Sequence, residues 1–203
     1  MPTPLRPDQT AILLIGYQND YFADDGALHT LVESSAADVL DHTLEMLDRL
    51  KDSTVTMIST PIRFTKDYRE LVNPIGILKI IKDRQAFRMD TAGGNTIAQL
   101  KAFGDRIIEI PGKRGLNAFS NTRLLSVLSE KGITNIILMG VVTSLCIEST
   151  GREAFEHGLH VIIVSDATAG RTRFEQDYYC SEIFPLYADV ADHLSLIARL
   201  TAE

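Results

Sequence analysis

The sequence predicts an α/β fold, a parallel sheet with helices on both faces. Short and nearly continuous apolar runs recur along the chain, and stretches with helical spacing separate them. No linker, low-complexity tract or internal repeat divides the chain, so residues 1–203 are read as one domain. A strand covered on both faces needs apolar side chains in both directions, and therefore reads as a run rather than an alternation.

Taken in order, TAILLI at 10–15 is such a run. Between 34 and 51 the period becomes helical, with Ala37, Val39, Leu40, Leu44, Leu47 and Leu50 recurring at three and four. Residues 55–59, VTMIS, return to a strand pattern that Pro61 closes. From 60 to 104 the pattern is least regular; Pro74 and the Gly93-Gly94 pair mark loops and short helices. Residues 107–110 are a third strand, and 121–131 form an amphipathic helix that Gly132 stops. A fourth strand at 135–139 precedes a helix from about 145 to 157, ended by Gly158, and then a fifth strand at 160–165. Helices at 174–184 and 192–200 complete the chain.

Apolar residues make up 45% of the chain and charged residues 23%, which excludes disorder and a collagen-like fibre. Twenty basic against 27 acidic side chains leave a net charge of −7, opposite to the clustered positive field that nucleic acids or anionic membranes require. Two cysteines make no disulfide framework. The N-terminus lacks a signal-like apolar core, and no run approaches the ~20 residues of a membrane span. The cytoplasm is the expected compartment.

In open parallel sheets ligands bind beyond the carboxyl ends of the strands. Chemistry is therefore sought at Gly16-Tyr17-Gln18, Thr60-Pro61, Gly112-Lys113-Arg114, the 140–143 turn and Asp166. Six residues separate Cys146 from the end of the NIILM run, where a strand gives way to a helix. There, unpaired amides and the positive end of the helix dipole favour thiolate, and the same amides could hold an oxyanion. A free cysteine is otherwise most often a small buried apolar residue, which is the reading adopted for Cys180. Lys113 falls at the same end of the sheet and could lower the thiol's pKa or offset developing negative charge. No His-Glu-x-x-His, Cys-x-x-Cys or phosphate-binding glycine loop is present, so neither a metal nor a cofactor is expected.

Five blocks, in order, resemble the isochorismatase-like cysteine hydrolase superfamily: AILLIGYQNDYF, STPIRF, GKRGLNAFSNT, GVVTSLCIESTGREAFEHG and VIIVSDATAG. The resemblance implies a three-layer α/β/α fold with a six-stranded parallel sheet, and a triad of Asp, Lys and Cys. Cys146 matches the nucleophile and Lys113 the lysine. It also implies a cis peptide at Val141–Val142, with the Val142 and Cys146 amides forming the oxyanion hole. Gln18, Phe22, Phe64 and Phe119 are the candidate substrate-binding residues, although core packing explains the three phenylalanines equally well.

The family's aspartate is replaced by Gly16. Loss of a general base typically costs about 10²–10⁴-fold, so turnover by this chain should be low. Three explanations stay open: an engineered substitution, a natural variant that keeps only binding, or a substitute carboxylate such as Asp20. The implied activity is hydrolysis of a small amide, ureide or carbamoyl compound through a Cys146 thioester, impaired in this chain. The alternative is a catalytically inactive small-molecule-binding or regulatory protein on the same fold. Nicotinamidase activity fits less well, since the family's Asp/His metal ligands are absent, and no metal is expected. A homodimer or homotetramer is implied by the resemblance alone.

Overall fold

The computed structural model describes residues 5–32, 34–112 and 115–202. Its framework is an all-parallel sheet of six strands among the described residues: β1 (Thr10–Ile15), β2 (Thr56–Ser59), β3 (Ile107–Glu109), β4 (Asn135–Val141), β5 (His160–Ala169) and β6 (Asp189–Ala191). All six residues of β1 are buried, as a strand covered on both faces demands. Each fully buried aliphatic side chain there contributes about 1.5–3 kcal/mol.

Around the sheet run α1 (Asn19–Phe22), α2 (Ala36–Leu50), α3 (Gly76–Asp83), α4 (Ala98–Lys101), α5 (Leu124–Glu130), α6 (Glu148–Glu156), α7 (Arg173–Tyr178) and α8 (His193–Thr201). The apolar spacing of α2 becomes a buried face of Val39, Met46, Leu47 and Leu50, joined by Thr43. Thr43 Oγ1 meets the Tyr17 hydroxyl at 2.5 Å, which ties α2 to the chain leaving β1. At α8 the Asp192 side chain accepts the Ser195 N–H at 2.8 Å and caps the helix.

Strand order is β3-β2-β1-β4-β5-β6. The chain builds outward from β1 in one direction, returns to the centre at β4, and then builds outward in the other. The switch point therefore lies between β1 and β4, and the crevice beyond their carboxyl ends is where this topology leaves room for a ligand.

Two expectations about elements need correction. β5 continues through SDATA to Ala169, so Asp166 lies inside a strand rather than after one. The expected helix at 174–184 is α7 followed by a π-helical turn, Tyr179–Ile183, and a 3₁₀ turn, Phe184–Leu186. No helix among the described residues is long and apolar enough to cross a membrane.

Candidate active site

The carboxyl ends of β1 and β4 meet through two opposed glycines. Gly140, at φ +115°, lies so close to the Ile15 carbonyl that any Cβ would run into it. Gly16 has φ +79°, and a Cβ there would stand 2.6 Å from the Val141 carbonyl oxygen and 2.9 Å from Val141 Cγ2. That combination of left-handed backbone and close approach suits glycine alone. With this backbone, position 16 has no room for the carboxylate that the resemblance assigns to it.

Directly beyond, the Val141–Val142 peptide bond is cis. Residues Thr143–Ile147 then form a π-helical turn whose Ile147 N–H donates to Val142 O at 3.3 Å, and α6 follows without a break. Cys146 therefore sits in a widened turn, not in the first turn of an α-helix as expected. Such π turns occur frequently at functional sites. The thiol is buried, with 1% of the residue exposed.

Tyr21 is the neighbour that sequence reasoning passed over. Its phenol is held well above the ordinary tyrosine range, first by burial and then by electrostatic interaction with Cys146 and with Asp20. It stays neutral and keeps its hydroxyl proton. No sequence signal set it apart from the neighbouring Tyr17.

Gln18 and Asp20 are both buried and both spent on backbone. Gln18 Nε2 donates to the carbonyls of Ile62 at 2.7 Å and Gly94 at 2.8 Å, while its Oε1 accepts the Ile62 N–H at 2.8 Å. Both amide hydrogens are thereby committed, which leaves none for a ligand. Asp20 Oδ2 accepts the Phe87 N–H at 2.6 Å and Oδ1 the Ala27 N–H at 3.3 Å. These two side chains hold the irregular 60–104 region against the end of β1, and both Asp20 oxygens are engaged by backbone N–H groups.

The phenylalanines divide. Phe22 is half-buried and stacks on Tyr17 at 5.1 Å. Phe64 is fully buried against Tyr68 and belongs to the core. Phe119 is 9% exposed and lies 5.4 Å from the His157 ring. Lys113 and its neighbour Arg114 lie outside the described residues. Cys180 is partly buried in the π turn after α7, and burial pushes its thiol up to about 11, the behaviour of an inert cysteine.

The sequence offered no basis for metal ligation, yet His42, Asp166 and His193 bring ligand-type atoms within 4.8 Å of one another. Those atoms already have partners. His193 Nδ1 meets Asp166 Oδ2 at 2.6 Å and its Nε2 meets Glu45 Oε2 at 3.3 Å, while His42 Nδ1 meets the Asp166 carbonyl at 2.7 Å. The two imidazoles stack with centroids 4.3 Å apart at 18°. Their in-plane nitrogens therefore do not converge on one point, and the cluster reads as a hydrogen-bonded tie among α2, β5 and α8.

Residues 10–195 match the family model of the isochorismatase domain. Among curated proteins, ureidoacrylate amidohydrolase RutB of Agrobacterium fabrum is 28% identical, across 98% of this chain and 94% of that protein. Nicotinamidase 3 of Arabidopsis thaliana is also 28% identical, across 78% of this chain and 72% of that protein. Among solved structures, a cysteine hydrolase from Pseudomonas syringae pv. phaseolicola superposes with a TM-score of 0.84 at 23% identity, covering 97% of this chain and 94% of the other. N-carbamoylsarcosine amidase from Thermoplasma acidophilum does so with a TM-score of 0.72 at 17% identity, covering 91% and 96%. At these identities the superpositions establish the shared fold.

Proposed function

Since the chain belongs to the isochorismatase family, we propose that it is a hydrolase of carbon–nitrogen bonds other than peptide bonds, acting on a small amide, ureide or carbamoyl compound through Cys146. The observation that carries this reading is the position of Cys146: a buried thiol in a widened turn, just past the carboxyl end of β4 and beside the switch point of the sheet. The named activities of the curated relatives, ureidoacrylate amidohydrolase and nicotinamidase, support the bond class.

The Cys146 thiolate attacks the carbonyl carbon, and the carbonyl π electrons move to oxygen. The resulting oxyanion rests on the Val142 and Cys146 amides. Collapse expels ammonia or an amine, which takes its proton from water, and leaves a thioester on Cys146. Water then cleaves the thioester to a carboxylic or carbamic acid and the free thiol. Lys113 supplies positive charge for the thiolate and the oxyanion.

Release of the acyl group is the slow step in this proposal. Water needs a positioned base, and Gly16 offers neither a carboxylate nor room for one. The same geometry favours the second reading, a protein that binds its small molecule without turning it over.

Intact-protein mass spectrometry after incubation with a panel of small amides, ureides and carbamoyl compounds separates the two. A persistent adduct that maps to Cys146 and vanishes in Cys146→Ala is the expected result, and its mass names the acyl group. Saturable binding with neither adduct nor product would establish the second reading instead.

A further inference from the structure

We propose that Glu175 and Gln176, adjacent on α7, are positioning residues that hold the Cys146 turn in its reactive geometry. The inference rests on the reading of Cys146 as the nucleophile.

Both residues reach the two side chains that open that turn. Thr143 Oγ1 donates to Gln176 Oε1 at 2.6 Å, and Ser144 Oγ donates to Glu175 Oε1 at 2.5 Å. Thr143 is fully buried and Glu175 is 9% exposed, so water competes little for either bond. The Gly170 N–H, which can only donate, meets Gln176 Oε1 at 3.0 Å and thereby fixes the orientation of the amide. Gln176 Nε2 then faces the Ser165 carbonyl at 2.9 Å and Thr168 Oγ1 at 3.1 Å, both on β5. One side chain therefore joins the nucleophile's turn to the neighbouring strand.

Glu175 has an ordinary local role open to it and departs from it. Thr172 caps α7 by accepting the Glu175 N–H at 3.1 Å, the first half of a capping box. The second half would return the Glu175 carboxylate to the Thr172 N–H. Instead its Oε1 takes the Ser144 hydroxyl, with the Arg171 N–H at the edge of hydrogen-bond range at 3.4 Å, and its Oε2 takes Arg171 Nε at 2.9 Å. A strong acceptor is thus aimed at a residue two positions before the thiol. The turn's own backbone bonds converge on the Val142 carbonyl, from the Leu145 N–H at 3.0 Å and the Ile147 N–H at 3.3 Å; the two bonds from α7 add an anchor at its first residues, and with them fix the direction of the Cys146 side chain and amide.

The test is the rate of alkylation of Cys146 against pH in the full chain, followed by peptide mapping and compared between each variant and the parent, because Cys180 Sγ itself accepts from Gln176 Nε2 at 3.3 Å. The titration midpoint reports the surroundings of the thiol, whereas access to it changes only the plateau. Thr143→Val keeps the shape and removes the hydroxyl, and Thr143→Ser returns it. We expect Thr143→Val and Glu175→Gln each to raise the Cys146 midpoint by about half a unit, roughly threefold less thiolate at a fixed pH below it. Thr143→Ser should keep the parent midpoint. The sign at Glu175 is diagnostic, because loss of a nearby negative charge would by itself lower a thiol's midpoint.

Melting temperatures that fall while the midpoint stays would overturn the proposal and leave the pair with a purely structural role. A lowered midpoint in Glu175→Gln would overturn it as well. Failure of the nucleophile reading shows elsewhere, as a parent Cys146 midpoint no lower than that of Cys180 and no adduct from any compound, whatever the variants do to the midpoint.

Discussion

At Gly16 a φ of +79° meets a Val141 carbonyl oxygen that would lie 2.6 Å from any Cβ. Left-handed backbone on a non-glycine residue costs about 1–3 kcal/mol before the clash is counted. Gly16→Ala should therefore lose at least that much stability in urea denaturation, and Gly16→Asp more, with no gain in hydrolysis. An aspartate variant as stable as the parent and faster in turnover would show that the end of β1 can reshape around a carboxylate. Gln18 makes the matching prediction for a polar side chain. Truncating it to alanine strands the buried N–H and carbonyl of Ile62, at about 1–3 kcal/mol. Limited proteolysis should then cut the 60–104 region faster than in the parent; an unchanged cleavage rate would mean that the backbone bonds of residues 19, 20 and 97 suffice to hold it.

Among the elements, α2, β5 and α8 share the His42–Asp166–His193 tie, and its prediction is a pH dependence. Burial opposes charge on His193, but the Asp166 carboxylate and then the Glu45 carboxylate outweigh it, so the imidazole titrates above its usual value. A group whose pKa rises on folding stabilises the fold while protonated in both states, and that contribution fades as pH climbs through the folded value. Melting temperature should therefore decline as pH climbs from the ordinary histidine value, about 6.5, through the raised folded value, and the decline should flatten in His193→Gln. A slope that survives the substitution would place the titration in another group. The elements also differ in how openly the sequence announced them. The runs TAILLI and NIILM were readable as strands because coverage on both faces leaves no polar position to blur the pattern. β6, with three residues and an acidic start, carries no such pattern, and its place in a six-stranded sheet came from the family resemblance alone. The π turn at Cys146 was read as helix because its side-chain spacing over five residues looks the same as an α-helix's.

For the whole molecule, the strand order makes β1 and β4 the inner pair, each hydrogen-bonded on both edges, while β3 and β6 close the sheet. Native-state hydrogen exchange should find the slowest amides in β1 and β4, and faster exchange in β3 and β6. Edge strands protected as strongly as the centre would mean that the molecule buries its edges against something more. The switch point lies between these two central strands, so the candidate site stands beside the part of the sheet expected to exchange most slowly.

What the sequence determined by itself was local and periodic: the fold class, most strand and helix positions, and the cysteine worth watching. Apolar spacing dictates which face of an element must be buried, and that constraint is written in neighbouring residues. The tertiary structure alone decided what distant segments do to one another. It set Gly16 against Val141 across 125 positions, Asp20 against Phe87, Thr143 and Ser144 against α7, and two stacked imidazoles against Asp166. Such contacts depend on direction and on distances of about 3 Å, and no periodicity in one chain encodes them. That Gly16 stands where the resemblance implies an aspartate was legible in the sequence; that no side chain fits there became visible only when β4 lay beside it.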